Sequence, residues 1–227
     1  MAKVSATLLD TLVDANFWHE RWQNNELGFH LEDAHPLLKQ CLTAVLPGKH
    51  KVLVPLCGKS PDLNYLAGYL PVVGAELSAI ACNDFFAAHA IPFEQWQEHE
   101  FVCYHSDTIR LWQGDFFALT PEQIIGCNLV YDRAALIALP AAMRAQYAAK
   151  LQRLLPSGST ILLISLEYPE HEKQGPPFSV TQREVELLFS GAEIECLARL
   201  DLTGKGFAKR RFATTSLVET AYRITLP

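Results

Sequence analysis

The sequence predicts an α/β fold in which an open, mainly parallel sheet carries helices on both faces. Three observations lead there. Short apolar runs of β character alternate with helical segments along most of the chain. Residues 52–76, VLVPLCGKSPDLNYLAGYLPVVGAE, form a complete strand–turn–helix–strand unit that closes on an acidic residue. The last two β-type runs, 194–200 and 217–224, are joined by a short connection, which predicts a mixed sheet with one antiparallel strand near an edge.

The elements follow in order. Asn16 can cap a helix that carries Trp18 and Trp22 one turn apart on the same face. Gly28 ends that segment or turns the loop after it, and Phe29 follows. His35 and Pro36 open the next helix, with Pro36 at its first position and Leu37, Leu38, Cys41, Leu42 and Val45 as its apolar stripe. Val52–Val54 is a strand ended by Pro55. A helix starts near Pro61 with Leu63 and Leu66 on one face, and Val72 and Val73 resume β character. Ser78 caps a helix running to about His89. Residues 92–100 are expected as loop or short helix, and 101–104 and 109–113 as strands. Residues 127–131 form a buried-type strand that delivers Asp132 and Arg133 to its carboxyl end. Pro140 begins a helix to about Leu155, residues 160–166 are the most apolar strand, and Thr181 caps a helix after the loop EYPEHEKQGPPF. That loop, with residues 17–30 and the basic loop at 204–211, is expected to close over a bound ligand.

The chemistry concentrates around the 52–76 unit. An acidic residue about 20 positions after a strand-to-helix turn is where doubly wound sheets grip a ribose, and Glu76 stands there. The turn holds one glycine, Gly58, where a dinucleotide site would show G-x-G-x-x-G, so an ordinary surface glutamate explains this stretch equally well. The GKS at 58–60 is not a phosphate-binding loop, because the position that needs the opening glycine is Leu53, inside the strand. Asp115 and Phe116 follow a strand at a position suited to an adenine, with an ordinary loop carboxylate as the alternative. Arg133 is placed either for an anionic group or for a structural pair with an aspartate.

The whole chain has 227 residues, 49% of them hydrophobic, which is enough for one sizeable core and predicts one domain with residues 1–46 as an N-terminal cap and 50–227 as the core. With 25 Asp and Glu against 19 Lys and Arg, net −6, it lacks the basic footprint of a nucleic-acid binder, although Lys205, Lys209, Arg210 and Arg211 form a local cluster. The cysteines at 41, 57, 82, 103, 127 and 196 show no metal-ligand spacing. They are expected to be reduced thiols in a cytoplasmic protein with neither a signal segment nor a membrane span.

Five separated segments, FWHERWQNNELGFH, VLVPLCGKS, GAELS, YDRAALIALP and GPPFSV, stand in one order over nearly the whole chain from Phe17. Together they resemble the thiopurine S-methyltransferase family, especially its bacterial members. The resemblance implies a seven-stranded, Rossmann-like class I methyltransferase fold using S-adenosyl-L-methionine and leaving S-adenosyl-L-homocysteine. It also implies a PLCG turn in place of the glycine-rich one. Carried over motif by motif, donor contacts fall on Trp18, Leu56, Glu76 and Arg133. Trp22 and Phe29 match aromatics of the cap, and Asp115 and Phe116 match the adenine-side segment. The implied acceptors are aromatic and heterocyclic thiols, with selenium or tellurium compounds, and the implied state is a monomer without metal. Arg133 serves either the donor carboxylate or an acceptor thiolate. His30 and Asp115 are candidate proton acceptors. The competing functions are a non-catalytic binder of the same donor and, less compatible with the single glycine, an NAD-dependent oxidoreductase.

Overall fold

The computed structural model describes residues 15–26, 28, 30–205 and 212–227. Phe29, the first fourteen residues and most of the basic loop therefore lie outside the described residues. Six helices are described: α1 (Ala15–Gln23), α2 (Pro36–Val45), α3 (Pro61–Ala67), α4 (Ala79–Ala88), α5 (Ala141–Leu154) and α6 (Gln182–Leu188). The strands are β1 (Val52–Pro55), β2 (Val72–Glu76), β3 (Glu94–Glu98), β4 (Phe101–His105), β5 (Ile109–Gln113), β6 (Leu129–Arg133), β7 (Thr160–Glu167), β8 (Glu193–Asp201) and β9 (Val218–Thr225). They form one sheet in the order β3-β4-β5-β2-β1-β6-β7-β9-β8.

Strands β5, β2, β1, β6 and β7 are mutually parallel. β4 and β9 run against their neighbours on both sides. The described sheet thus has nine strands, not the seven expected, and two reversed strands, not one. One of the two additional strands is β3, expected as loop or helix. Its residues EQWQE show no apolar alternation because four of the five are exposed. Backbone pairing with β4 makes it a strand, through a tight turn in which His99 takes φ +53°.

Alternation along the central strands divides the core. Val52, Val54, Leu129, Tyr131, Leu162 and Ile164 face one side, packed with the buried residues of α2, α3 and α4. Leu53, Val130, Ile161 and Leu163 face the other, with Tyr147, Leu151 and Leu154 of α5 and Val185 of α6. Both faces are covered, as in doubly wound sheets. Ser78 and Thr181, the expected caps, and also Ser60 each accept a backbone N–H at an N-terminus, and Pro36 and Pro61 occupy first-turn positions, whereas Asn16, expected as a cap, lies inside α1.

A buried polar network joins the N-terminal segment to the sheet. The His35 N–H donates to Asp62 Oδ1 at 2.7 Å, and the Tyr131 hydroxyl donates to Asp62 Oδ2 at 3.0 Å. His35 Nδ1 accepts from Leu37 N–H, which leaves the ring proton on Nε2, 3.1 Å from Glu219 of β9. His35, Asp62 and Tyr131 are all nearly inaccessible, so an unmatched donor among them is costly. Replacing Asp62 with Ala is expected to destabilise the fold by about 2–4 kcal/mol, read from urea denaturation. A loss below about 0.5 kcal/mol, the level of an ordinary surface substitution, would show that the network carries no stability.

Candidate active site

The strand order turns back at β1, which pairs with β2 on one side and β6 on the other. After β1 the chain goes to α3 on one face, and after β6 to α5 on the other. A crevice therefore opens at the carboxyl ends of these strands, the position where open α/β sheets bind ligands. The cavity there has about 690 Å³ of empty space including its open mouth, and its walls come from α1, the turn after β1, the end of β2 and the end of β6.

The turn after β1 is set by backbone geometry. Leu56 has φ +46° and Gly58 φ +54°, and Cys57 N–H continues the ladder to Ala75 O at 3.0 Å. Left-handed backbone at a leucine is unfavourable by itself and is held by its surroundings. Cys57 packs against β2 at Gly74, where an added Cβ would stand 2.8 Å from the cysteine sulfur and 2.5 Å from Leu111 Cδ2. The glycine of GAELS is thus a requirement of close approach between turn and strand.

Glu76 ends β2 and is 6% exposed. Its Oε2 accepts Gly58 N–H at 2.8 Å and its Oε1 accepts Ser78 N–H at 2.7 Å. Burial pushes its carboxyl up to about 7, against the opposite pull of the N–H donors from Ser78 and Gly58. The backbone N–H of Leu77 pulls in the same direction as those donors, and the residue also lines the cavity.

On β6, Asp132 points into the core and Arg133 into the cavity wall, the alternation of successive strand residues. Asp132 accepts from Tyr147 hydroxyl at 2.7 Å and Leu136 N–H at 3.1 Å. Ala134, next in the chain, has φ +62° and lines the cavity with Ala138. From α1, Trp18 and Trp22 form the aromatic wall, with Trp22 buried and Trp18 half-buried.

Of the residues expected at the site, the cavity gathers Trp18, Trp22, Leu56, Glu76 and Arg133. Asp115 and Phe116 lie beside it without lining it. Gly114 N–H bonds Glu76 O at 2.9 Å, which brings the segment next to β2. From there Asp115 caps a short 3-10 turn through Phe117 N–H, and Phe116 packs on Tyr147 with ring centroids 5.1 Å apart. The GPPF segment is likewise tied to the core: Phe178 N–H bonds Ile137 O at 2.6 Å and Tyr168 hydroxyl bonds Pro177 O at 2.7 Å. In the sequence Lys59 stands only in a fragment that is not a phosphate loop. Its position directly after Gly58 was the available signal, and its side chain lines the cavity. His30 joins the wall too. Burial lowers its pKa first and the nearby cations Lys59 and Arg133 lower it further, so its imidazole is predominantly neutral at pH 7.

Asp132 gives a pH test. Burial raises its carboxyl from 3.8 to about 6 against the pull of the Tyr147 hydroxyl. The folded state then holds more protons than the unfolded state between these values, so stability falls as pH rises through that window. In Asp132→Asn the amide oxygen keeps the Leu136 bond and the amide nitrogen donates to the Tyr147 oxygen, without a titrating charge. The stability of this variant relative to wild type is expected to climb by about 3 kcal/mol at most from pH 4 to 6. Parallel stability curves for the two proteins would refute the assignment.

Comparison with known proteins gives the family and the fold. The family profile described as thiopurine S-methyltransferase matches residues 13–226. A thiopurine S-methyltransferase of Pseudomonas fluorescens strain SBW25 is 43% identical over 217 residues, covering 94% of this chain and all of the relative. That of Vibrio vulnificus strain YJ016 is 47% identical over 188 residues, covering 80% of this chain and 83% of the relative. Among solved structures, an S-adenosylmethionine-dependent methyltransferase from Anabaena variabilis superposes with a TM-score of 0.60 at 18% identity, over 93% of this chain and 94% of that one. The glycopeptide N-methyltransferase MtfA, solved with S-adenosylmethionine, gives 0.56 at 17% identity, over 86% and 95%. The fold is that of S-adenosylmethionine-dependent methyltransferases, and the chain belongs to the thiopurine S-methyltransferase family.

Proposed function

We propose that this chain is an S-adenosylmethionine-dependent thiopurine S-methyltransferase, moving a methyl group to the sulfur of a small aromatic or heterocyclic thiol. The Glu76 carboxylate carries the reading. It is buried at the end of β2, its two oxygens held by the N–H groups of Gly58 and Ser78, and it forms part of a cavity wall. A vicinal ribose diol needs two such acceptors. Trp18 and Trp22 add the polarizable faces that suit a sulfonium cation. The residues present therefore fit the donor.

When bound, S-adenosylmethionine supplies a methyl on a sulfonium sulfur; an acceptor sulfur pair forms the new S–C bond while the pair of the broken bond stays on the donor sulfur. The chain's own tasks are positioning and exclusion of water. Glu76 fixes the ribose, the α1 aromatics cover the cation, and Arg133 takes the donor carboxylate. Acidic thiols ionise without a dedicated base, so neutral His30 serves as part of the wall. The same reading extends to selenium and tellurium acceptors and to a monomer acting in the cytoplasm as one methyltransferase domain. Among the described residues no helix is long and apolar enough to cross a membrane.

Calorimetric titration with S-adenosylmethionine and S-adenosylhomocysteine is expected to show one site per chain. Glu76→Ala is expected to weaken both by about 100-fold or more, the worth of two hydrogen bonds to a charged acceptor, with the sheet intact by circular dichroism. Unchanged affinity would remove Glu76 from the site. Because the ionised carboxylate accepts both hydroxyls, wild-type donor affinity should rise as pH increases through about 7; a flat profile from pH 6 to 8 would contradict that role. For Arg133→Ala the expected result is a donor dissociation constant raised about tenfold or more. A fall in acceptor turnover at unchanged donor affinity would move Arg133 to the acceptor side.

A further inference from the structure

With Arg133 given to the donor carboxylate, Lys59 is a cavity-lining cation still without a role. Its backbone adjoins the Gly58 N–H that bonds Glu76. Its side chain is 20% exposed, and Nζ lies 2.8 Å from Asp84 Oδ2 on α4 and 5.9 Å from the Trp22 ring centroid. Asp84 is 44% exposed and shares its charge with solvent. It takes one of the three N–H donors of the ammonium. The ammonium's other two N–H donors are left for a ligand, and with Arg133 it gives the wall two cations beside the Glu76 carboxylate.

We propose that Lys59 is the acceptor-side cation of the site: its ammonium binds the sulfur of the incoming thiol as a thiolate. This rests on the donor reading above. Ionisation breaks the S–H bond, leaves its electron pair on sulfur and releases the proton to solvent, so the step needs no general base. Burial, and after it the Lys59 and Arg133 charges, lower the basicity of His30 on the same wall, so both cations act at this side of the cavity. The rival account is that Lys59 and Asp84 merely tether the turn after β1 to α4.

Two substitutions separate the accounts because they change the charge at the pocket in opposite senses while breaking the same ion pair. The probe is 4-nitrobenzenethiol, whose thiolate absorbs visible light, titrated with protein saturated with S-adenosylhomocysteine. Wild-type protein is expected to lower the pKa of the bound thiol relative to free thiol. Lys59→Gln should raise the bound value by about one unit, a tenfold loss of thiolate preference. Asp84→Asn, which keeps the ammonium and removes its partner, should lower it below wild type. Glu76, Arg133 and His30 face the same cavity, with His89 beside His30. They remain present in all three proteins, so the ordering of the variants reports Lys59. Equal shifts in both variants, or none, would overturn the proposal, and Asp84→Asn alone decides it if Lys59→Gln does not fold. Failure of S-adenosylhomocysteine to bind wild-type protein would instead overturn the donor reading, and this inference with it.

Discussion

The Glu76 carboxylate accepts one N–H from the turn after β1 and another from the start of α4, and the rest of the site is arranged around those two bonds. Each N–H belongs to backbone that no regular ladder would satisfy, at the point where a strand gives way to a loop. One side chain therefore completes both strand ends and faces the cavity. Its burial makes the arrangement demanding: ionised, it loses solvation, and the backbone N–H donors offset only part of that loss. A diol that adds two further donors would complete what the protein leaves partly satisfied.

The two non-glycine residues with left-handed backbone beside this carboxylate, Leu56 and Ala134, follow the ends of the adjacent strands β1 and β6. At both places the chain must leave the sheet sharply to clear the crevice. Neighbouring bonds hold the conformation: Cys57 N–H to Ala75 on one side, and Asp132 to Leu136 N–H and the Tyr147 hydroxyl on the other. Strain of this kind, about 1–3 kcal/mol per residue, persists because tightly packed elements over-determine it. Gly74 shows the same pressure in β2, where close packing of Cys57 leaves no room for a side chain.

Charge is distributed by element. The interior aspartates Asp62 and Asp132 meet hydroxyl and backbone donors and serve the fold. The cavity wall carries the two cations Lys59 and Arg133 with the neutral imidazole of His30 between their influences. In a low-dielectric crevice those charges act more strongly than on the open surface, which suits a reaction in which opposite charges on donor and acceptor cancel.

The sequence by itself determined the alternating architecture, the helix starts and the carboxylate at the end of β2, because strand runs, Ser, Thr and Pro caps, and strand-to-acid spacing are local patterns. The ordered motifs marked Trp18, Trp22, Leu56, Glu76 and Arg133, which the cavity brings together. Only the tertiary structure decided the rest. β3 is a strand because β4 pairs with it, although its exposed residues carry no alternating pattern. Asp115 and Phe116 sit beside the cavity without lining it, since capping and packing on Tyr147 turn them away. Lys59, embedded in a misleading phosphate-loop fragment, gains its place from the left-handed turn and from Asp84 on another helix. Asp84 and Tyr147 lie far along the chain from Lys59 and Phe116, and no local pattern encodes where such partners meet; β3 pairs with its immediate neighbour, but through backbone bonds that leave no apolar alternation in its side chains.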